Sequence, residues 1–217
     1  MAEAVHLRSV VALAGRFPVL AGADLTVGPG QVVLLRGANG AGKTSLLRLC
    51  AGLLPVASGQ AVVLGEDLTV DRRGVRRRVG LLGHATQLYD DLSVRDNVRF
   101  AVRAAGGDAA TADAALDRVG LTGRLPGTPT SRLSAGQRRR SALAVLVARR
   151  PELWLLDEPY AGLDAEARAL IDALVAEAVA GSASVIVASH EAGQVEALAH
   201  RRVEVAGGRT REPALVA

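Results

Sequence analysis

Gly37-Ala38-Asn39-Gly40-Ala41-Gly42-Lys43-Thr44 has the spacing G-x-x-x-x-G-K-T of a phosphate-binding loop. Residues 31–36 before it form an apolar run bounded by glycine, as expected of a buried parallel strand. Residues 43–51 after it read as a helix closed at Gly52. Glycines between a strand and a helix let successive N–H groups turn inward toward an anion, and the helix adds the positive end of its dipole. Lys43 is then expected to reach the β- and γ-phosphates of a nucleotide, and the Thr44 hydroxyl to ligate Mg²⁺. Gly37, Ala38, Asn39, Gly40, Ala41, Gly42, Lys43, Thr44 and the adjoining Ser45 make up the expected nucleotide-binding set.

A second apolar strand, Trp154-Leu155-Leu156, delivers two adjacent carboxylates, Asp157 and Glu158, and Pro159 stops it there. Alone, an acidic pair at a strand end is as often a solvated turn. Coupled to the loop, it separates into two roles: Asp157 holds Mg²⁺, directly or through water, and Glu158 orients and activates the water that attacks the γ-phosphate.

The rest of the chain fits around these two halves. Residues 5–27 alternate over short stretches with turn residues at Gly15, Pro18 and Gly22, which suggests a small antiparallel sheet, followed by a tight turn at Gly28-Pro29-Gly30. Residues 88–150 become helical: Ser93 stands at capping distance from Asp96, Thr111 opens a segment ending at Gly120, and Ser134 with Gln137 opens a third. Beyond Pro151 the strand pattern returns in residues 153–156 and 185–188, separated by the amphipathic residues 165–179. The expected fold class is α/β: a P-loop NTPase core of mixed or parallel sheet with flanking helices, a small antiparallel β subdomain and an inserted α-helical subdomain. Residues 1–217 read as a single domain, with 1–87 and 151–217 as nucleotide-binding core and 88–150 as the helical part.

Composition agrees. Of 217 residues, 49% are hydrophobic but only 2% aromatic, so the core is aliphatic and disorder is excluded. No apolar run approaches the roughly 20 residues that span a bilayer, and the N-terminus lacks the basic start and apolar core of a signal peptide. The lone Cys50 permits no internal disulfide and reads as a buried small hydrophobe in a reducing, cytoplasmic compartment. Net charge is +4, with arginines clustered at 72, 73, 76, 77 and 78 and again at 138, 139 and 140. Without interleaved aromatics to stack on bases, these read as solvated helix and hairpin faces, and no nucleic-acid partner is expected.

Phosphate-binding loops serve many protein classes, so the discriminating segment is Leu133-Ser134-Ala135-Gly136-Gln137, followed by three arginines and an apolar helix. Ser134 and Gly136 at a helix start offer a hydroxyl and free N–H groups to an anion, or Ser134 caps its own helix. With Ala161-Gly162-Leu163-Asp164 after the acidic pair and Ser189-His190-Glu191 after the last buried strand, the order of motifs resembles the ABC ATPases across nearly the whole chain. The resemblance implies a head-to-tail homodimer with two ATP molecules between protomers. It further implies that Ser134, Gly136 and Gln137 face the γ-phosphate bound by the other copy, that Asp164 crosses the interface, and that His190 contacts the γ-phosphate. Two positions depart from the family pattern. His84 stands where a metal-touching glutamine is usual, with Gln87 three residues on, and Ala14 takes the place of the adenine-stacking aromatic, with Phe17 nearby.

Gly83-His84, the tryptophan-containing strand, the short length and the run Arg132 to Arg139 look like one subgroup, the ATPase subunits of the heme exporter of bacterial cytochrome c maturation. That resemblance implies integral membrane permease subunits whose cytoplasmic helix docks near residues 84–92, and a peripheral place on the inner face of the cell membrane. ATPases of drug, polysaccharide or lipid exporters share these cues, and soluble ABC proteins acting on ribosomes or DNA remain a further class. A P-loop kinase leaves Leu133 to Gln137 without a role.

Overall fold

The computed structural model describes residues 3–190 and 194–211; Glu191, read as part of the histidine motif, lies outside them. In chain order the elements are β1 (Val5–Ala14), β2 (Phe17–Val27), β3 (Val32–Arg36), α1 (Lys43–Cys50), β4 (Val56–Val63), β5 (Glu66–Asp67) and β6 (Val79–Leu82). Then come α2 (Val94–Ala104), α3 (Thr111–Arg118), α4 (Ala135–Arg149), β7 (Leu153–Asp157), α5 (Ala165–Ala180), β8 (Ser184–Ala188), α6 (Gln194–Leu198), β9 (Arg201–Ala206) and β10 (Arg209–Arg211).

Among the described residues the strands form two sheets, one of order β2-β1-β4-β5 and one of order β10-β9-β3-β8-β7-β6. The first is antiparallel, as expected, but its hairpin is longer than the sequence suggested. Pro18 and Gly22 are not turns; both lie inside β2. Pro18 is tolerated because β2 is an edge strand, where a missing N–H leaves no ladder partner unsatisfied. Gly22, at φ 102, is the extra residue of a bulge between Ala21, opposite Val11, and Ala23, opposite Val10.

The second sheet is parallel from β9 through β6, and only β10 runs antiparallel. Its register levels the strand ends: Ala188 pairs with Leu35 on one side and with Asp157 on the other. Parallel strands need crossovers, so the loops that follow β3, β7 and β8 all emerge at one edge. The strands β7 and β8 are buried on both faces, and alternate residues supply opposite cores. Val33, Leu35, Leu153, Leu155 and Ile186 pack with Leu46, Leu47 and Cys50 of α1 and with the antiparallel sheet. On the other face, Val32, Leu34, Trp154, Leu156, Val185 and Val187 share a cluster with residues of α2, α3, α4 and α5. The helical stretch between residues 88 and 150 therefore packs against the sheet itself.

Cys50 is fully buried in the first cluster, and that burial pushes its thiol up to about 12. At about pH 8 native protein should resist iodoacetamide, and denatured protein should be alkylated completely. Mass spectrometry distinguishes the two, and rapid native alkylation would contradict this packing.

Candidate active site

Three glycines shape the loop between β3 and α1. Gly37 has φ 145, Gly40 φ 78 and Gly42 φ 114, the last as the left-handed residue that opens α1. At Gly37 the absence of a side chain is compulsory: a Cβ would stand 2.1 Å from the Val205 carbonyl oxygen. Ala38, Asn39 and Gly40 are exposed at the rim, Ala41 is buried, and Ser45 is half-buried one residue into the helix from Thr44. Lys43, only 6% exposed, aims its Nζ back across the loop, donating to the carbonyls of Gly37 at 2.7 Å and Ala38 at 3.2 Å. A buried ammonium held by carbonyls at the centre of a ring of backbone is a charge waiting for a counter-ion.

The level strand ends bring the acidic pair to this loop. The Thr44 hydroxyl donates to Asp157 Oδ2 at 2.7 Å, and Asp157 is buried. A hydroxyl and a carboxylate at this spacing are hard oxygen donors. They suit Mg²⁺, which keeps few protein ligands and fills its octahedron with water and phosphate oxygens. His84 is exposed on the loop after β6, the strand that pairs with β7. Among the described residues no group of three or more His, Cys, Asp or Glu converges as a metal cage.

Glu158 adopts φ 45 although it precedes Pro159, a conformation that costs about 1 to 3 kcal/mol and persists only where the surroundings hold it. Its N–H donates to the Ala188 carbonyl at 2.8 Å, continuing the β7–β8 ladder one residue too far. Its carboxylate meets His190 twice: Oε1 lies 2.9 Å from Nδ1, and Oε2 accepts the His190 N–H at 3.3 Å. Histidine and glutamate, 32 residues apart in sequence, thus form one unit beside Thr44 and Asp157.

The signature residues lie elsewhere on the protomer. Ser134 is the N-cap of α4 in a capping box: its Oγ accepts from the Gln137 N–H, and the Gln137 side chain accepts from the Ser134 N–H. A hydroxyl that accepts this way keeps its own hydrogen to donate, so capping and anion contact are compatible. Ser134 and Gly136 are exposed, and Gln137 is half-buried. Asp164 likewise caps α5, accepting from Ala167 N–H at 2.8 Å. Phe17 is 78% exposed at the tip of the β1–β2 hairpin, opposite Ala14, on a strand that passes the glycine loop.

The arginines at 138–140 are not a solvated face. All are half-buried, and their guanidinium groups donate to backbone carbonyls. Arg138 donates to the Thr130 carbonyl at 3.0 Å and to Asp90 at 2.6 Å. Arg139 donates to the Gly83 carbonyl at 2.6 Å and the Glu158 carbonyl at 3.2 Å, and Arg140 reaches Val119 and Glu166. Burial holds Arg139 below the usual guanidinium range, with the charge of Asp157 opposing that shift. In the first turn of α2, buried Asn97 accepts from the Tyr89 N–H and donates to the carbonyls of Tyr89, Leu92 and Ser93 in the preceding loop. Sequence reasoning missed the role of Arg139 because its partners lie on distant strand ends, and that of Asn97 because a polar residue at an exposed-looking helix start carries no sign of burial.

Strand, glycine loop and helix, with the lysine centred on the loop and the threonine bound to a carboxylate at a neighbouring strand end, define the class of P-loop nucleoside triphosphatases. Within that class the chain belongs to the ABC transporter family, whose model matches residues 20–161, and it is an ATP-hydrolysing member. It is 42% identical over 183 residues to the cytochrome c biogenesis ATP-binding export protein CcmA of Bordetella bronchiseptica, covering 82% of this chain and 79% of that one. The corresponding protein of Rhodopseudomonas palustris is 42% identical over 183 residues, covering 84% and 90%. In fold the chain resembles the ATP-binding cassette MJ0796, solved as a post-hydrolysis dimer bound to ADP and Pi, with TM-score 0.85 at 21% identity over 96% of this chain and 98% of that one. No helix of the described residues is long and apolar enough to cross a membrane.

Gly37→Ala should lower stability by roughly 2 kcal/mol or more, since the added methyl meets backbone rather than a movable side chain. Nucleotide affinity should fall with it. Thermal melts with and without ATP check both; a variant that melts and binds like wild type would contradict the loop geometry.

Proposed function

We propose that this ATPase powers export of heme or a related component for cytochrome c biogenesis, through separate integral membrane subunits. Relatives 42% identical over more than four-fifths of the chain, named as cytochrome c biogenesis ATP-binding export proteins, carry the reading. Supporting it, the site holds each part that hydrolysis needs, brought to one edge of the parallel sheet.

In the working cycle Lys43 leaves the Gly37 and Ala38 carbonyls for the β- and γ-phosphates, and the loop N–H groups wrap the same anion. Thr44 and Asp157 would hold Mg²⁺, and His84, on the loop after β6, would be a further donor to it. When bound, that ion neutralises charge on the β- and γ-phosphate oxygens. Glu158 aligns a water with the γ-phosphorus and accepts its proton as the new P–O bond forms and the bond to the ADP oxygen breaks. His190 holds the Glu158 carboxylate in place and faces the γ-phosphate. Phe17, with one face free, offers the only large exposed aromatic near the glycine loop among the described residues, and would lie against the base.

A single copy leaves Ser134, Gly136 and Gln137 without an anion. A second copy, turned head to tail, sets their hydroxyl and N–H groups against the terminal phosphate, and Asp164 crosses the same interface. ATP then closes the dimer and hydrolysis releases it, a ligand-driven shift between two states. Residues 88–150 act as the moving helical part and 1–87 with 151–217 as the core, all on the inner face of the membrane.

Deleting the gene from its own host should abolish c-type cytochromes, detected by heme staining of membranes after electrophoresis. Plasmid-borne wild-type chain should restore them and Lys43→Ala should not. Normal cytochromes in the deletion strain would overturn the export assignment while leaving the ATPase intact.

A further inference from the structure

Glu158 sits in an unfavourable backbone conformation, so what holds it there bears on hydrolysis. Its N–H is tied to β8, its carboxylate to His190, and its carbonyl accepts from the Ala161 N–H at 3.3 Å. One further anchor comes from the helical stretch. The guanidinium of Arg139, in the second turn of α4, donates to the Glu158 carbonyl at 3.2 Å and, from its other terminal nitrogen, to the Gly83 carbonyl at 2.6 Å. It also lies 3.5 Å from the Asp157 carbonyl, a longer contact.

We propose that Arg139 is a positioning residue for ATP hydrolysis, a fork that locks the Glu158 peptide to the loop entering His84 and to the signature helix α4. The planar guanidinium suits this task because its nitrogens diverge at fixed angles and satisfy carbonyls on two strand ends at once, whereas an ammonium on a flexible stem serves one at a time. Its neighbour extends the link. Arg138 holds Asp90 and the Thr130 carbonyl, so one turn of helix grips both ends of the segment from Gly83 to Asp90. A shift of α4 or of that segment therefore moves the Glu158 peptide, and with it the carboxylate that addresses water. Removing the fork lets Glu158 relax toward an ordinary backbone conformation while the side-chain contacts of the phosphate cradle, Lys43 with the glycine-loop carbonyls and Thr44 with the Asp157 carboxylate, involve no atom of Arg139.

The inference rests on Glu158 as the base, and a double-mutant cycle separates the two. ATP turnover is measured for wild type, Arg139→Gln, Arg139→Lys, Glu158→Gln and the Arg139→Gln/Glu158→Gln pair, with folding monitored by thermal melts. Arg139→Gln should lower kcat by about tenfold to a hundredfold, the usual effect of a misplaced group, with KM for ATP changed less than about twofold. Arg139→Lys should fall between it and wild type. In the Glu158→Gln background the same Arg139 change should cost less than about twofold, because the group it positions is already gone. Unchanged kcat in Arg139→Gln, or an equal fold-loss in both backgrounds, overturns the proposal. Wild-type turnover in Glu158→Gln overturns the assignment of the base instead. If Arg139→Gln does not fold, Arg139→Lys with and without Glu158→Gln carries the same comparison.

Discussion

The hydrogen bond from Thr44 to Asp157, 2.7 Å long and spanning 113 residues of chain, depends on parallel register in the central sheet. Ala188 stands level with Leu35 and Asp157 because β8 lies between β3 and β7, and that single level places the glycine loop, the acidic pair and His190 at one edge. Sliding any of these strands by one residue would exchange its two faces and separate the carboxylates from the loop by several ångströms. Burial enforces the register: β7 and β8 are apolar on both sides, and each alternate residue belongs to a different core. Hydrophobic packing thus sets where the glycine loop and the two carboxylates meet.

The helical stretch shares an apolar cluster with the sheet and is tied to the site edge by polar contacts. Arg138 and Arg139 reach from α4 to Asp90, Gly83 and Glu158, and Asn97 pins the turn before α2. Such bonds are directional, so they fix the first turns of α4 to the strand ends, while its later residues Leu143 and Leu146 pack in the apolar cluster beneath the sheet. Ser134 accepts from the first turn of its own helix, and its hydroxyl keeps its own hydrogen to donate.

How much was legible in the sequence follows from where each signal is stored. The glycine loop, the acidic pair and the apolar strands around them carry local signals, so their order and class were readable, and the Ser134–Gln137 spacing foretold a capping box that is present. The long β1–β2 hairpin was not readable, because Pro18 and Gly22 are turn residues by propensity; an edge position and a bulge, both tertiary facts, absorb them. Strands β4, β5 and β6 passed unrecognised, since polar Ser58 to Gln60 interrupt the pattern of β4, β5 spans only two residues, and β6 is short. The arginines misled for the opposite reason. Charge suggests solvent, yet carbonyls at strand ends need donors, and the half-buried guanidinium of Arg139 supplies them.

The central claim is that one protomer supplies the cradle and another the signature. A structure of Glu158→Gln with Mg²⁺ and ATP tests it most directly. It should show a head-to-tail pair in which Ser134 Oγ and Gly136 N of one copy lie within about 3 Å of the terminal phosphate held by Lys43 of the other. ATP bound by Lys43 and Thr44 alone, with those signature atoms distant from the phosphate in every assembly, would contradict the account.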